Sequence, residues 1–436
     1  MPQNKDQKTI LAKLGIRQLN QMQKNAQKKI LSRDELILLS PTGSGKTLAF
    51  LLPIIAQLDS SLHEIQALIL VPSRELAMQI EQVARSLGSG YKVNAVYGGR
   101  AGIKDKAELK HPPAILIGTP GRVADHIRRE VINTQHVKIL VLDEFDKSLE
   151  IGFEAEMRSI LKTLVHVKKK VLTSATQRDE LPDFVGIKNP EILNYLDQKG
   201  SRLRLKMVMS PSKDKLATLK RLLFSLGGQS GIVFCNLKET IETVSDYLDT
   251  IELGHVCFYG GMEQVERERS LIRFRNGSQT VLLATDLAAR GIDVPEMDFI
   301  IHYELPYRKE EFVHRNGRTA RMHSGGTAYV LRAEREALPG FIKDAEIVAL
   351  EDCPQPPASP WETIYISGGR KDKISKGDIA GLFFKQGALL ADELGMIELK
   401  QDCAFVAVPR AKASLLISKL NNRKLKKKKV RLSILS

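Results

Sequence analysis

Ser40-Pro41-Thr42-Gly43-Ser44-Gly45-Lys46-Thr47 decides the fold of this 436-residue chain. It follows the apolar run Leu36-Ile37-Leu38-Leu39 and leads into Leu48-Ala49-Phe50-Leu51-Leu52. A buried strand, a glycine-rich loop and a helix start, in that order, form a cradle for phosphate. Small residues let backbone N–H groups approach the oxygens, and the helix N-terminus adds positive potential. Thr42, Gly43, Ser44 and Gly45 supply the loop. Lys46 is expected to reach the β- and γ-phosphates, and Thr47 a Mg²⁺ ion. The strict pattern has glycine at its first position, where this chain has Ser40.

The same strand-then-turn arrangement recurs around the cradle. Residues 67–71, 115–117, 139–142 and 171–172 are rich in Ile, Val and Leu, as buried parallel strands are. They run into Pro72-Ser73-Arg74, Thr119-Pro120-Gly121-Arg122, Asp143-Glu144-Phe145-Asp146 and Ser174-Ala175-Thr176. Open α/β sheets bind ligands at the carboxyl ends of their strands, so one rim collects all these turns. Asp143 is placed to hold Mg²⁺, and Glu144 to orient and deprotonate an attacking water.

A polar stretch at residues 197–204 precedes a second such alternation, with strands expected at 231–235, 256–259, 281–284, 299–302 and 328–331. It carries His314-Arg315-Asn316-Gly317-Arg318-Thr319-Ala320-Arg321. Arg318 and Arg321 are three apart, so one helical face can present both. There they would neutralise the γ-phosphate in the transition state as an arginine finger does, unless they form a solvated basic face. An ATP site divided in this way implies a machine that closes on ATP and opens on hydrolysis.

The net charge is +15 and the pI about 9.5, which points to a polyanionic partner, nucleic acid first. The excess is uneven. Residues 361–436 hold 16 Lys/Arg against 7 Asp/Glu, nine of the fifteen net charges. Cys235, Cys257, Cys353 and Cys403 are far apart and suggest neither zinc nor disulfides. No apolar run approaches membrane-spanning length and the first eight residues are polar, so a cytoplasmic protein without a membrane partner is expected.

Residues 349–360 are proline-rich and read as a semi-extended linker. Beyond them, strands at 363–366, 396–399, 404–408 and 430–435 alternate with helical patterns at 376–384 and 411–420. The order β-α-β-β-α-β is that of an RRM-like α+β domain. Tyr365 and Phe405 are its candidates for stacking on bases, and either could instead be core. The run from Arg423 to Arg431 favours phosphate, unless it forms a solvated hairpin or a flexible tail.

Together these motifs resemble the DEAD-box family of superfamily 2 RNA helicases over roughly residues 10–345. The resemblance implies an α/β chain with two tandem RecA-like parallel-sheet domains, residues 1–200 and 201–348. A linker at 349–360 and a small C-terminal RRM-like domain at 361–436 would follow. Residues 15–23 resemble the Q motif, in which Gln23 reads the adenine edge. Leu19 and Gln21 stand where that motif has prolines. Pro72 and Arg74, Gly99, and Thr119, Gly121 and Arg122 resemble motifs that meet the RNA backbone. Ser174 and Thr176, with Asp146 and His314, resemble the residues that couple hydrolysis to unwinding. Val233, Phe234 and Asn236 resemble motif IV, and Gln264 and Arg267 the QxxR motif. Within residues 284–293, Thr285 and Asp286 would meet RNA and Asp293 the ribose. Phe145 departs from the family's alanine, but the three acids around it are intact.

The tail resembles the DbpA-type RNA-binding domain through Ile366-Ser367-Gly368-Gly369-Arg370-Lys371-Asp372-Lys373-Ile374, Gly377-Asp378-Ile379-Ala380-Gly381, Gly395-Met396-Ile397 and Phe405-Val406-Ala407-Val408. Arg370, Lys371 and Lys373 are its candidate RNA contacts. The resemblance implies a monomeric ATP- and Mg²⁺-dependent RNA helicase acting on structured ribosomal RNA or pre-ribosomal particles. A non-unwinding ATP-gated RNA clamp needs the same residues, and a DNA helicase is a weaker third option.

Overall fold

The computed structural model describes residues 11, 16–41, 43–99, 102–177, 181–196, 203–289, 297–319 and 326–435. Thr42, Asp293 and Arg321 lie outside them. The chain forms two compact units that divide after Ser201 in the main.

In the first unit the strands are β1 (Glu35–Leu39), β2 (Ala67–Leu70), β3 (Val93–Val96), β4 (Ile115–Gly118), β5 (Ile139–Leu142), β6 (Lys169–Ser174) and β7 (Glu191–Asn194). Among the described residues they pair in the order β3-β4-β2-β5-β6-β1-β7, every pair parallel. Alternate side chains enter opposite cores, as strand periodicity requires. Leu36, Leu38, Ile69, Ile117 and Val141 pack on one face. Ile37, Leu39, Leu70, Leu116 and Leu142 pack on the other. Two strands had no clear sequence signal. β3 carries Asn94, whose amide finds Glu108 at 3.2 Å, and β7 alternates between half-buried and exposed residues.

The second unit repeats this plan with β8 (Leu203–Ser210), β9 (Gly231–Cys235), β10 (His255–Phe258), β11 (Val281–Thr285), β12 (Phe299–His302), β13 (Gly326–Ala333) and β14 (Glu346–Ile347). The order is β10-β11-β9-β12-β13-β8-β14. Each strand number exceeds its counterpart in the first sheet by seven, so the two topologies match strand for strand. Their chemistry does not. The turn after β8 reads Ser210-Pro211-Ser212-Lys213-Asp214-Lys215 and has no glycine. The Lys215 ammonium is buried and bonds Glu336 at 2.7 Å and the Leu331 carbonyl at 2.8 Å.

The tail belongs to the second unit. Its strands are β15 (Trp361–Ile366), β16 (Ile397–Leu399), β17 (Ala404–Pro409), β18 (Lys424–Leu425), β19 (Lys428–Lys429) and β20 (Leu432–Ile434). An antiparallel sheet in the order β16-β17-β15-β20 carries the helices Lys376–Gly381 and Arg410–Leu420. The basic run is the hairpin β18–β19. It is anchored by Leu425 and Val430 in the tail's core.

The tail is seated on the C-terminal end of the helix Gln264–Arg275. Arg275 grips Glu398 with two hydrogen bonds of 2.8 Å. Ser278 and Thr363 pair their hydroxyls at 2.8 Å. Ile272, Phe405 and Leu435 are buried together, with Tyr365 against them. Phe405 is therefore part of an intramolecular seat and not a platform for bases. Residues 349–360 are pinned as well. Arg221 binds the Leu350 carbonyl at 2.8 Å, Gln355 binds the Ile251 carbonyl at 2.8 Å, and Ser359 binds Gly277. The segment is a strap along the second unit.

Candidate functional site

β1 delivers the chain at Ser40, whose N–H donates to the Ser174 carbonyl at 3.0 Å and whose own carbonyl accepts from Lys46 at 2.7 Å. Backbone atoms make both bonds, which accounts for serine where the pattern has glycine. Gly43 and Gly45 sit at φ 79° and 87°. At φ 87° Gly45 needs to be glycine for its conformation, and an added Cβ would lie 2.4 Å from Gln23 Nε2 and push that amide off the Gly45 carbonyl. The helix Lys46–Ala56 starts at once, with its unpaired N–H groups at the loop. Lys46 is buried and folded back on the Ser40 and Pro41 carbonyls. Burial lowers its pKa, against the pull of Glu144 and Asp143. Ser44 is buried in the loop, and Thr47 is half-buried in the first helical turn.

Gln23 lies on the helix Gln21–Ser32, in a capping box with Asn20. Its Nε2 donates to the Gly45 carbonyl at 3.1 Å, and Asn20 Nδ2 donates to the Ser44 carbonyl at 3.1 Å. This geometry makes Gln23 a brace of the phosphate loop, a contact that sequence reading missed.

β5 and β6 are neighbours and bring the acids to the same rim. The Asp143 carboxylate accepts from the Glu144 N–H at 3.1 Å and from the Thr173 hydroxyl. Burial, with Glu144 beside it, pushes its pKa up to about 6. A buried carboxylate held in this way fits a divalent cation, and the lysine-bearing glycine cradle fits a nucleotide polyphosphate. Glu144 takes a left-handed conformation, φ 46° and ψ 48°. For a residue with a Cβ that costs about 1–2 kcal/mol, and such strain clusters at functional sites. Its Oε2 meets Lys147 Nζ at 2.7 Å.

Asp146 Oδ2 accepts from the Thr176 hydroxyl at 2.7 Å, and the Thr176 N–H donates to the Ser174 hydroxyl at 3.0 Å. With the Ser40–Ser174 bond, this links the phosphate loop to the acidic tetrad. Phe145 is housed in the apolar core beside Leu142 and Leu172. Its side chain is 2% exposed, so Phe145→Ala is expected to cost about 3 kcal/mol. That loss would come from restoring the family's own residue, and urea unfolding of the two proteins measures it.

The backbone-binding candidates of the first unit gather along the loop after β3. Gly99, at φ 80°, packs so tightly on Arg74 that a Cβ would fall 2.4 Å from the guanidinium. Pro72 is buried just before it. Thr119 stands at the N-cap position of the helix Pro120–Arg128 without a side-chain capping bond, and Gly121 faces open space. Arg122 is bonded at 2.8 Å by Asp105, a fully buried carboxylate that also meets His126 at 3.0 Å. Asp105 and His126 carry no motif and could not have been found from sequence.

In the second unit, Gln264 opens its helix and Arg267 lies over the Phe258 ring at 4.6 Å. Thr285 ends β11, and Asp286 is bonded by Arg315 at 2.7 Å. Arg315 also donates to Asn236 at 2.7 Å and to the Glu304 carbonyl at 2.8 Å. Neighbouring His302 is pushed down to about 3 by burial and by Arg315. His314 is buried on the helix Lys309–Asn316. That helix stops at Asn316, because Gly317 turns the chain and Thr319 bonds the Met297 carbonyl at 2.6 Å. Arg318 thus sits in the turn beyond, and the helical face expected from its spacing does not reach it.

On the tail, Arg370, Lys371 and Lys373 are exposed on and just after the turn Arg370–Asp372. Lys428 ties the basic hairpin to this turn through Asp372 at 2.9 Å. The loop and the hairpin therefore form one basic surface.

The DEAD/DEAH box helicase family matches residues 20–184, the helicase conserved C-terminal domain matches 214–323, and the DbpA RNA binding domain matches 363–434. The chain is 32% identical to the ATP-dependent RNA helicase DbpA of Escherichia coli (strain K12), over 98% of this chain and 97% of that one. It belongs to the DEAD-box family of ATP-dependent RNA helicases. The Bacillus subtilis (strain 168) DbpA is also 32% identical, over 96% of this chain and 95% of the relative. Among solved structures, S. cerevisiae Dbp5 bound to RNA and ADP BeF3 matches with a TM-score of 0.68 and 25% identity, over 78% of this chain and 91% of that one. This DEAD-box chain is accordingly an RNA-stimulated ATPase and helicase that binds ATP and RNA. No helix among the described residues is long and apolar enough to cross a membrane.

Proposed function

We propose that this helicase remodels structured ribosomal RNA during ribosome assembly, as a monomer, with ATP and Mg²⁺. The observation that carries the reading is the basic surface of Arg370, Lys371, Lys373 and the β18–β19 hairpin, on a tail of the DbpA type. A cytoplasmic site of action goes with that substrate.

The loop N–H groups and Lys46 hold the polyphosphate, with Gln23 at the adenine and Asp293 at the ribose. Thr47 and Asp143 hold Mg²⁺, which neutralises phosphate charge when bound. Glu144 takes the proton of the attacking water, and Arg318 with Arg321 stabilises the charge that develops. Pro72, Arg74, Gly99, Thr119, Gly121, Arg122, Gln264, Arg267, Thr285 and Asp286 meet sugar and phosphate, which position RNA without reading sequence. Ser174, Thr176, Asp146 and His314 couple the two events. The tail then supplies target choice.

Deleting residues 361–436 should leave ATPase activity at high concentrations of unstructured RNA. The same deletion should remove the preference for a structured ribosomal fragment over random RNA of equal length. Paired ATPase titrations at one fixed salt concentration make the comparison, since phosphate contacts are salt-dependent. Equal half-saturation by both RNAs in the full chain would reduce the tail to a nonspecific anchor. Multiple-turnover unwinding of a short duplex, with ATP against a non-hydrolysable analogue, separates strand separation from an RNA clamp.

A further inference from the structure

The acidic tetrad has a basic companion that no motif names. Lys147 is fully buried, with a side-chain exposure of 0%. Lysine is almost never buried to that degree without a partner. Its partner is the Glu144 carboxylate, 2.7 Å away and three residues earlier. The Lys147 N–H also donates to the Glu144 carbonyl at 3.0 Å. The Glu144 N–H in turn donates to Asp143 at 3.1 Å and to Thr173 at 3.2 Å. Glu144 is thus held at its N–H, its carbonyl and its carboxylate. Lys46, also nearby, has its ammonium on the Ser40 and Pro41 carbonyls.

We propose that Lys147 is a positioning residue for ATP hydrolysis: by gripping Oε2 it fixes the rotation of the Glu144 carboxylate and so holds that base in place for the attacking water. The inference rests on Glu144 as the base. A base must lie within hydrogen-bond reach of the proton it takes, and a displacement of about 1 Å can cost a hundredfold in rate. An exposed glutamate would wander among rotamers. A buried one with an unpaired carboxylate would be drawn to other donors in the site. A lysine three residues on, in the first turn of the helix Phe145–Glu150, prevents both without occupying the phosphate cradle.

The test uses the full-length chain at saturating RNA, reading kcat and KM for ATP together with the Kd of a fluorescent ADP analogue. Lys147→Met should lower kcat at least tenfold while KM and Kd stay within threefold. Lys147→Arg, which restores a cation, should recover part of the loss. In a Glu144→Gln background, Lys147→Met should cause no further fall, because residues that act through one another are not additive. A Lys147→Met rate within twofold of the parent would overturn the proposal. So would a parallel loss of nucleotide affinity, an equal further fall in the Glu144→Gln background, or failure of both Lys147 variants to fold in thermal unfolding. Each of the last three would make Lys147 a support of the fold or of the nucleotide pocket. If Glu144→Gln alone kept normal turnover, the assignment of the base would fail first, whatever Lys147 does.

Discussion

Arg318→Ala removes RNA-stimulated ATP hydrolysis, with kcat falling by about a thousandfold, the lower end of what an arginine finger contributes. The expectation follows from how the three arginines of the His314–Arg321 motif divide their work. Arg315 is fully buried and bonded to Asp286, Asn236 and Glu304, so it holds β9, β11 and β12 together at their carboxyl ends. Arg318 is buried at 6% exposure in the turn after the helix, beyond Gly317. Lysine should not substitute well, because a point charge lacks the planar fork that spans phosphate oxygens. Nucleotide binding without RNA should be unchanged, since the phosphate cradle lies wholly in the first unit. The measurements are kcat at saturating RNA and the Kd of a fluorescent nucleotide on the same protein. Unchanged turnover in Arg318→Ala and Arg321→Ala alike would remove the arginine-finger assignment.

Glu144→Gln separates binding from chemistry. Turnover is expected to fall at least about a hundredfold, the usual contribution of a general base. The amide is nearly isosteric and its oxygen can still accept from Lys147, so the strained turn at φ 46° keeps its support. ATP should bind with its affinity unchanged, because Lys46, Thr47 and Asp143 are intact. Near-normal RNA-stimulated ATPase in this variant would show that another group takes the proton.

Much of this was legible in the sequence because its strands are so apolar. Residues 139–142, 231–235 and 299–302 coincide with β5, β9 and β12. Other strands gave less signal. β14 has two exposed residues, and β8 begins within the stretch read as a polar separator. The site divides on similar lines. Gly43, Lys46, Asp143 and Ser174 stand in motifs whose spacing follows from strand-end chemistry. Lys147, Asp105 and His126 do not, because a buried lysine, aspartate or histidine looks in sequence like any surface residue. Only folding shows that each faces an opposite charge. The Gln23 brace was not foreseen, and the helical face expected for Arg318 gave way to a turn, because local spacing does not show which distant carbonyl a side chain meets or where a helix stops.

The seat of the tail makes it a poor module for exchange. Ile272 and Arg275 on one side meet Thr363, Glu398 and Phe405 on the other in one packed, hydrogen-bonded seat. A chimera that moved the tail onto another core would transfer its basic surface without the matching socket. The graft would then bury Glu398 without its guanidinium or leave Phe405 facing water. If the tail chooses the target, as proposed, that choice depends on the tail together with the helix it rests on. On that reading, substitutions at Ile272 or Arg275, outside the tail itself, are expected to alter RNA preference, which paired ATPase titrations with structured and random RNA would measure.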